Sequence, residues 1–338
     1  MTEGEEENFL VVRLTALGDI LHTLPAVAAL RAAHRTVRID WVVDRKWAPV
    51  LEGSSAINEV IPFDRRSLPR AIICIRKLRQ KHYTCAIDFQ GLYKSSVLAF
   101  LSGAQRRIGF ERGWAREGGA AVLYTERVTP VGRHVAELNY SLAERAGAQR
   151  PRVPEYPIRA PGGGVASTRA RLAERGIDKY IVVGPAGSWR AKCWPAERYG
   201  EFCREFENRN ALRVIVIHGP GEESIADEVC RTAAPASPVK IATTLEELMG
   251  LLAHARCVVA ADSGPLHLAA ALGTPVVGLY GPTDPARNGP FVPRATIVNE
   301  ARPDEISYKR RTSYSAAMLR ITVEEVLAAT EQCLKDSK

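Results

Sequence analysis

The stretch CVVAADSGPLHLAAALGTPVVGLYG, residues 257–281, decides the fold. Its first six residues read as a buried strand and its last eight as another. Between them a segment opens on Asp262-Ser263-Gly264-Pro265 and stops at Gly273. A proline in the first turn and a glycine past the last are helix start and stop signals. Two buried strands joined by a helix lie parallel, so the sheet is parallel and covered by helices.

The same alternation continues outward. FLVVRL (9–14), VRIDWVV (37–43), INEVIPF (57–63), YTCAIDF (83–89) and RRIGF (106–110) read as strands. Helical patterns follow the first strand and occupy 67–80, 92–101 and 133–147. In the second half KYIVVGP (179–185) and LRVIVIHGP (212–220) are strands, alternating with helices over 195–209, 221–233, 244–254 and 264–272. An amphipathic helix over 322–334 closes the chain. Between the halves, PRVPEYPIRAPGGG (151–164) has four prolines followed by three glycines, a density that suits no strand or helix interior and reads as a linker. The expectation is an α/β protein of two Rossmann-like doubly wound domains, 1–155 and 156–338, facing a cleft. The last helix is expected to be able to pack back on the first domain. Ligands of such sheets bind beyond the carboxyl ends of the strands.

The composition is that of a globular protein, with 46% hydrophobic and 25% charged residues. No apolar run approaches the roughly 18 residues of a membrane span. The acidic start MTEGEEENF fits neither a signal nor a transit peptide and reads as a short disordered lead-in. Seven scattered cysteines without a CxxC pair point to reduced thiols in a cytosolic protein, most simply as small buried hydrophobes. The net charge of +8 points to an anionic partner. It is concentrated between residues 65 and 116, where Arg65, Arg66, Lys94, Arg112 and Arg116 are among many cations opposed only by Asp88 and Glu111. Either that stretch faces an anion or it is a solvated surface.

Four turns at strand ends carry candidate chemistry. In RLTALGDILHTLP (13–25) the backbone turns through Gly18, and Asp19 is either a helix cap or a general base, with His22 on its face. In GPAGSWRAK (184–192) small residues let amides approach an anion, Ser188 offers a hydroxyl and Lys192 a mobile positive charge; the alternative is an ordinary loop. It is not a P-loop, because GxxxxGK[ST] is absent. In HGPGEES (218–224), Glu222 or Glu223 is placed to take a ribose hydroxyl or simply to serve the helix dipole. In the opening stretch, Ser263 and Gly264 begin a helix whose free N–H groups suit an anion, with His267 in its first turn. Asp262 is awkward for a phosphate and is expected to organise the turn or hold His267.

Together these segments resemble glycosyltransferase family 9, the ADP-heptose:lipopolysaccharide heptosyltransferases, which have the GT-B fold. ALGDILHTLPA (16–26), IDFQGLYKS (87–95), WAREG (114–118), KCWPAERY (192–199) and DSGPLHLAAALGTPVVGLYGPTDP (262–285) carry the resemblance, and FQGL-x-KS with WAREG is most similar to the heptosyltransferase I branch. The resemblance implies that Asp19 is the general base. It implies that Lys192, Ser263, Gly264 and His267 bind the donor diphosphate, with Ser188 beside them. Glu222 or the neighbouring turn would hold the adenosine, Thr243 would lie near the base, and Asp262 belongs to the same donor site. Lys94 and Arg116, with Arg65, Arg66 and Gly18 on the acceptor side, would meet the Kdo carboxylates or phosphates of a lipid A–Kdo acceptor. A soluble enzyme at the cytoplasmic face of the inner membrane is implied. Residues 301–320 match no pattern of the family.

The implied reaction is an inverting displacement of ADP, with no enzyme nucleophile. No Asp-x-Asp occurs, so no metal or other cofactor is expected, and cations with a helix dipole are expected to stabilise the leaving diphosphate. Another family 9 sugar transfer is the nearest alternative. A nicotinamide enzyme lacks its GxGxxG after the first strand, and a nucleotide or nucleic-acid binder lacks helix-turn-helix or RNP-type signatures, so no nucleic-acid partner is expected.

Overall fold

In the computed structural model, residues 7–336 are described; most of the acidic lead-in expected to be disordered lies outside them. The chain divides into two compact units, Met1–Ile158 and Arg159–Lys338.

The first unit contains strands β1 (Asn8–Val12), β2 (Arg38–Asp44), β3 (Glu59–Phe63), β4 (Cys85–Asp88), β5 (Arg106–Phe110) and β6 (Glu126–Val128). Its helices are α1 (Leu17–Leu21), α2 (Leu24–Ala33), α3 (Ala48–Leu51), α4 (Leu68–Gln80), α5 (Tyr93–Leu101) and α6 (Val135–Arg145). The second unit contains β7 (Tyr180–Gly184), β8 (Arg213–His218), β9 (Val239–Ala242), β10 (Val258–Ala261), β11 (Val276–Tyr280) and β12 (Ala295–Asn299). Its helices are α7 (Gly162–Ala173), α8 (Ala196–Arg209), α9 (Glu223–Thr232), α10 (Leu245–Ala253), α11 (Gly264–Ala271), α12 (Pro285–Asn288), α13 (Ala316–Arg320) and α14 (Val323–Lys335).

Every strand pair is parallel. The sheets run β3-β2-β1-β4-β5-β6 and β9-β8-β7-β10-β11-β12, the same doubly wound order twice. Strand order therefore reverses between β1 and β4 in one sheet and between β7 and β10 in the other. Those two points are where a doubly wound sheet opens a crevice for a ligand. The central strands are buried along their whole length, which is why they read as continuous apolar runs.

Strands β6, β9 and β12 escaped the sequence reading. They are short or partly exposed edge-side strands with weak apolar signals. The linker reading of 151–164 needs correction at its end, because Gly162, Gly163 and Gly164 form the first turn of α7, behind Pro161. Packing explains the glycines. A Cβ on Gly164 would lie 2.2 Å from the Glu246 carbonyl oxygen, and one on Gly250 would lie 2.7 Å from Gly164. The close crossing of α7 and α10 outweighs the poor helix propensity of glycine.

The second core gathers Trp194, Tyr199, Phe202 and Phe206 with the sheet, α9 and the last helix. Helix α14 packs on α8, β11 and β12. Trp194 Nε1 donates to the Ile321 carbonyl at 3.0 Å, and Arg198 donates to that of Leu319 at 2.6 Å. Most of KCWPAERY thus serves the fold, and Lys192 at its start is what remains for chemistry.

Candidate active site

At the β1–β4 switch point the backbone leaves β1 through Arg13–Ala16 and enters α1. Gly18 lies inside that helix, not in the turn as expected; its carbonyl accepts from His22 N at 2.9 Å. Asp19 is the third helical residue. It reaches back to accept from the Ala16 amide at 3.3 Å, the reciprocal half of a capping box. Two arginines hold the same carboxylate: Arg13 at 3.0 Å and Arg116 at 3.1 Å. Burial acts to raise the Asp19 carboxyl, but Arg13 and Arg116 outweigh it and keep it below the ordinary range. Asp19 is therefore an ionised acceptor at neutral pH, with 13% of its side chain exposed.

Arg13 sits at the end of an apolar strand and was missed as a site residue; a lone cation closing a buried run was its signal. It also donates to the Phe89 carbonyl. Gln90 ties β4 to the same turn, accepting from Leu14 N at 2.7 Å. The FQGL and WAREG segments meet through backbone. Glu117 N donates to the Gly91 carbonyl at 2.9 Å, and Tyr93 N donates to the Glu117 carboxylate at 2.6 Å. Gly91 has φ +67°, and a Cβ there would press on Ala115 and Arg116 at 3.2 Å. That contact sets Arg116 beside Asp19. His22 is buried edge-on against His134, with ring centroids 5.0 Å apart.

Lys94 begins α5. Burial and the positive charge of Arg65 hold its ammonium below the usual lysine range. Arg65 and Arg66 are exposed after β3. The basic stretch is not one anion-facing surface. Lys77 and Lys81 pair with Glu59, Arg106 with Glu126 and Arg70 with Asp64, all acids outside the counted stretch.

At the β7–β10 switch point the centre is Asp262, which is buried. It accepts from Lys192 Nζ at 2.5 Å, Thr283 Oγ1 at 2.8 Å and pairs with His267 Nε2 at 3.1 Å. Burial opposes its charge, but the His267 hydrogen bond and the Lys192 charge prevail and hold the carboxyl far below the ordinary range. Lys192 is thus not the mobile charge expected from its loop; it is docked, 15% exposed, over the Trp189 ring. Thr283, in the GPTDP turn after β11, is the third partner of Asp262.

Ser263 is the N-cap of α11, in extended conformation, yet its hydroxyl makes no capping bond. That oxygen is buried without a partner. Together with the Gly264 amide at the start of the helix it forms a donor cluster suited to an anion. Ser188 is exposed beyond β7 and Thr243 half-exposed beyond β9. Glu222 turns back to accept from Gly219 N at 2.8 Å, so it shapes its own turn. All these residues lie at one edge of the sheet, in spatial order Thr243 (β9), Glu222 (β8), Lys192 (β7), Asp262 (β10) and Thr283 (β11). Among the described residues no three His, Cys, Asp or Glu converge where they could hold a metal ion. No helix among them is long and apolar enough to cross a membrane.

Residues 72–317 match the model of glycosyltransferase family 9 (heptosyltransferase). The chain is 30% identical over 298 residues to lipopolysaccharide heptosyltransferase 1 of Pseudomonas aeruginosa, covering 83% of this chain and 81% of the relative. It is 24% identical over 336 residues to lipopolysaccharide heptosyltransferase 3 of Escherichia coli K12, covering 94% and 96%. The solved structure of E. coli heptosyltransferase WaaC with ADP superposes at a TM-score of 0.78 with 25% identity, over 98% of this chain and 100% of that one.

Proposed function

Because the chain belongs to glycosyltransferase family 9, we propose that it transfers heptose from ADP-heptose to the Kdo of a lipid A–Kdo acceptor, with Asp19 as the general base. The observation that carries this reading is the Asp262 cluster. A docked lysine, a histidine and an unpartnered serine hydroxyl converge at the start of a helix, at the switch point of a doubly wound sheet. Such a group offers donors to a diphosphate and stabilises its developing charge as ADP leaves. Lys192, Ser263, Gly264 and His267 are assigned to the diphosphate, Ser188 stands beside them, and Glu222 and Thr243 lie on the adenosine side. Asp262 aims the cations and does not itself touch phosphate.

In the first unit Asp19 takes the proton of the acceptor hydroxyl as that oxygen attacks the anomeric carbon. The carbon–oxygen bond to ADP breaks on the opposite face, so configuration inverts. Arg116, Lys94, Arg65 and Arg66 lie beyond β5, β4 and β3 at the same sheet edge as Asp19 and offer cations to an acceptor carrying carboxylates and phosphates. Gly18 supplies backbone to this side of the site. The protein works at an anionic cytoplasmic membrane face: Leu68, Ile72 and Ile73 of α4 are exposed beside Arg65, Arg66 and Arg76.

A later core acceptor is the second reading, favoured by the match to heptosyltransferase 3 over 94% of the chain. The test is incubation with ADP-heptose and either Kdo-lipid A or a heptosylated core, following ADP release and product mass. A heptose mass increment on Kdo-lipid A is expected. An increment only on the longer core favours the second reading, and none on either refutes both.

A further inference from the structure

We infer that a cavity at the amino edge of the second unit's sheet binds a phosphorylated small molecule, at a site separate from the Asp262 crevice. Strands β8, β7 and β10 are neighbours and begin side by side. Lys179 immediately precedes β7, Leu212 precedes β8, and Arg256 stands two residues before β10. Backbone bonds fix these starts together: Arg213 N donates to the Lys179 carbonyl at 3.3 Å and Arg256 N to the Tyr180 carbonyl at 2.9 Å. The buried thiols of Cys257 and Cys333 meet at 3.7 Å and hold the end of α14 against the start of β10. The donor crevice lies at the other end of the same strands. Strand β7 has five residues, so at about 3.3 Å per residue the two edges are roughly 16 Å apart.

The cavity measures about 490 Å³. Lys179, Arg209, Arg256 and Lys335 line it against one carboxylate, Glu331. Arg209 is already paired with Glu324 at 3.0 Å. Among the described residues, Lys179, Arg256 and Lys335 have no side-chain ion pair or hydrogen bond. Elsewhere in this unit cations are matched, Arg213 by Glu207, Arg231 by Glu228 and Lys240 by Asp227. Arg209 and Lys335 stand in the last turns of α8 and α14, where a cation offsets the helix dipole. That reason does not reach Lys179 and Arg256, which stand outside any helix.

Like charges brought to one cavity from distant parts of the chain repel one another, and a multiply charged anion relieves that repulsion. A monocarboxylate brings one charge to three uncommitted cations. A phosphate or diphosphate brings two or three, and its oxygens match the guanidinium fork of Arg256. Leu212 and Leu334, both half-buried, add an apolar wall for the carbon part of the ligand. The volume falls within the range of small-molecule sites, about 300–1,000 Å³.

The test titrates inorganic pyrophosphate into the full chain by calorimetry. The variants are Lys179→Ala with Arg256→Ala, Lys192→Ala in the donor crevice, and Arg35→Ala with Arg152→Ala as a control. The control removes the same charge from exposed positions elsewhere. Lys179 and Arg256 are exposed as well, and a thermal melt checks that their variant is folded. The wild type is expected to show pyrophosphate binding that Lys192→Ala retains and the Lys179/Arg256 variant weakens at least about tenfold, the loss of charge-assisted contacts. Acetate at the same ionic strength should not displace it. Unchanged binding in the Lys179/Arg256 variant overturns the inference, as does complete loss in Lys192→Ala alone. Equal weakening in the control reduces the effect to net charge and also overturns it, and displacement by acetate overturns the assignment to phosphate.

Discussion

Replacing Asp19 by asparagine separates the chemistry from the fold. The substitution keeps the size of the side chain and removes its charge and its basicity. As a general base, Asp19 is expected to contribute about 10²–10⁴-fold to the transfer rate, which corresponds to roughly 2.7–5.5 kcal/mol of barrier. The structure also sets a stability cost. Arg13, only 4% exposed, loses a partner at 3.0 Å. Breaking a buried pair costs about 3–5 kcal/mol. Asp19 is 13% exposed and Arg13 keeps its bond to the Phe89 carbonyl, so about 2 kcal/mol is expected here. That is roughly 4–8 °C in the melting of the first unit. The assay is single-turnover transfer with saturating ADP-heptose, alongside calorimetric titration of ADP and a thermal melt. Expected are a transfer rate down by at least about 10², unchanged ADP affinity and a modestly lower Tm. Transfer within a few-fold of wild type, in a folded variant, would refute Asp19 as base. The pH profile adds a second check. Arg13 and Arg116 hold Asp19 low, so the wild-type acid limb should fall below the ordinary aspartate range near pH 4. Removing Arg116 should move that limb upward.

Lys192→Ala should weaken ADP binding about 10–100-fold by losing a charge-assisted contact, and unchanged affinity in calorimetry would remove this lysine from the donor site. Asp262→Asn should flatten the acid dependence of stability: the folded carboxyl titrates below its unfolded value near 3.9, so its stabilisation is full above that pH and fades as pH falls through the depressed value. An Asn variant with the same slope between neutral and acid pH in urea melts would show that the carboxylate contributes nothing. Gly164→Ala should destabilise the second unit by about 1–3 kcal/mol, because its Cβ would meet the Glu246 carbonyl at 2.2 Å; an unchanged Tm would mean that α7 and α10 separate freely. Leu68→Ser with Ile73→Ser should abolish flotation with anionic vesicles while sparing ADP binding, and undiminished flotation would move the membrane contact off α4.

The periodicity of the chain was sufficient for two doubly wound sheets, because strands buried on both faces are apolar along their length and helices carry one apolar stripe. It was sufficient as well for the turns at strand ends, where Asp19, Lys192 and Asp262-Ser263-Gly264 stand, since turn residues and caps are local signals. Local signals could not report which charges pair. Asp262 joins Lys192, His267 and Thr283 from turns 70, 5 and 21 residues away. Arg116 reaches Asp19 across 97 positions. Counting cations along 65–116 could not see that Glu59 and Glu126 neutralise several of them from neighbouring strands. Propensity also misjudged Gly162–Gly164, where a helix crossing, a contact between distant segments, selects glycine. What the sequence determined by itself is the order of elements and the identity of the turns. What only the tertiary structure decided is which turns share a sheet edge, because strand order places β1 beside β4 and β7 beside β10, and charges become a site only when those turns converge.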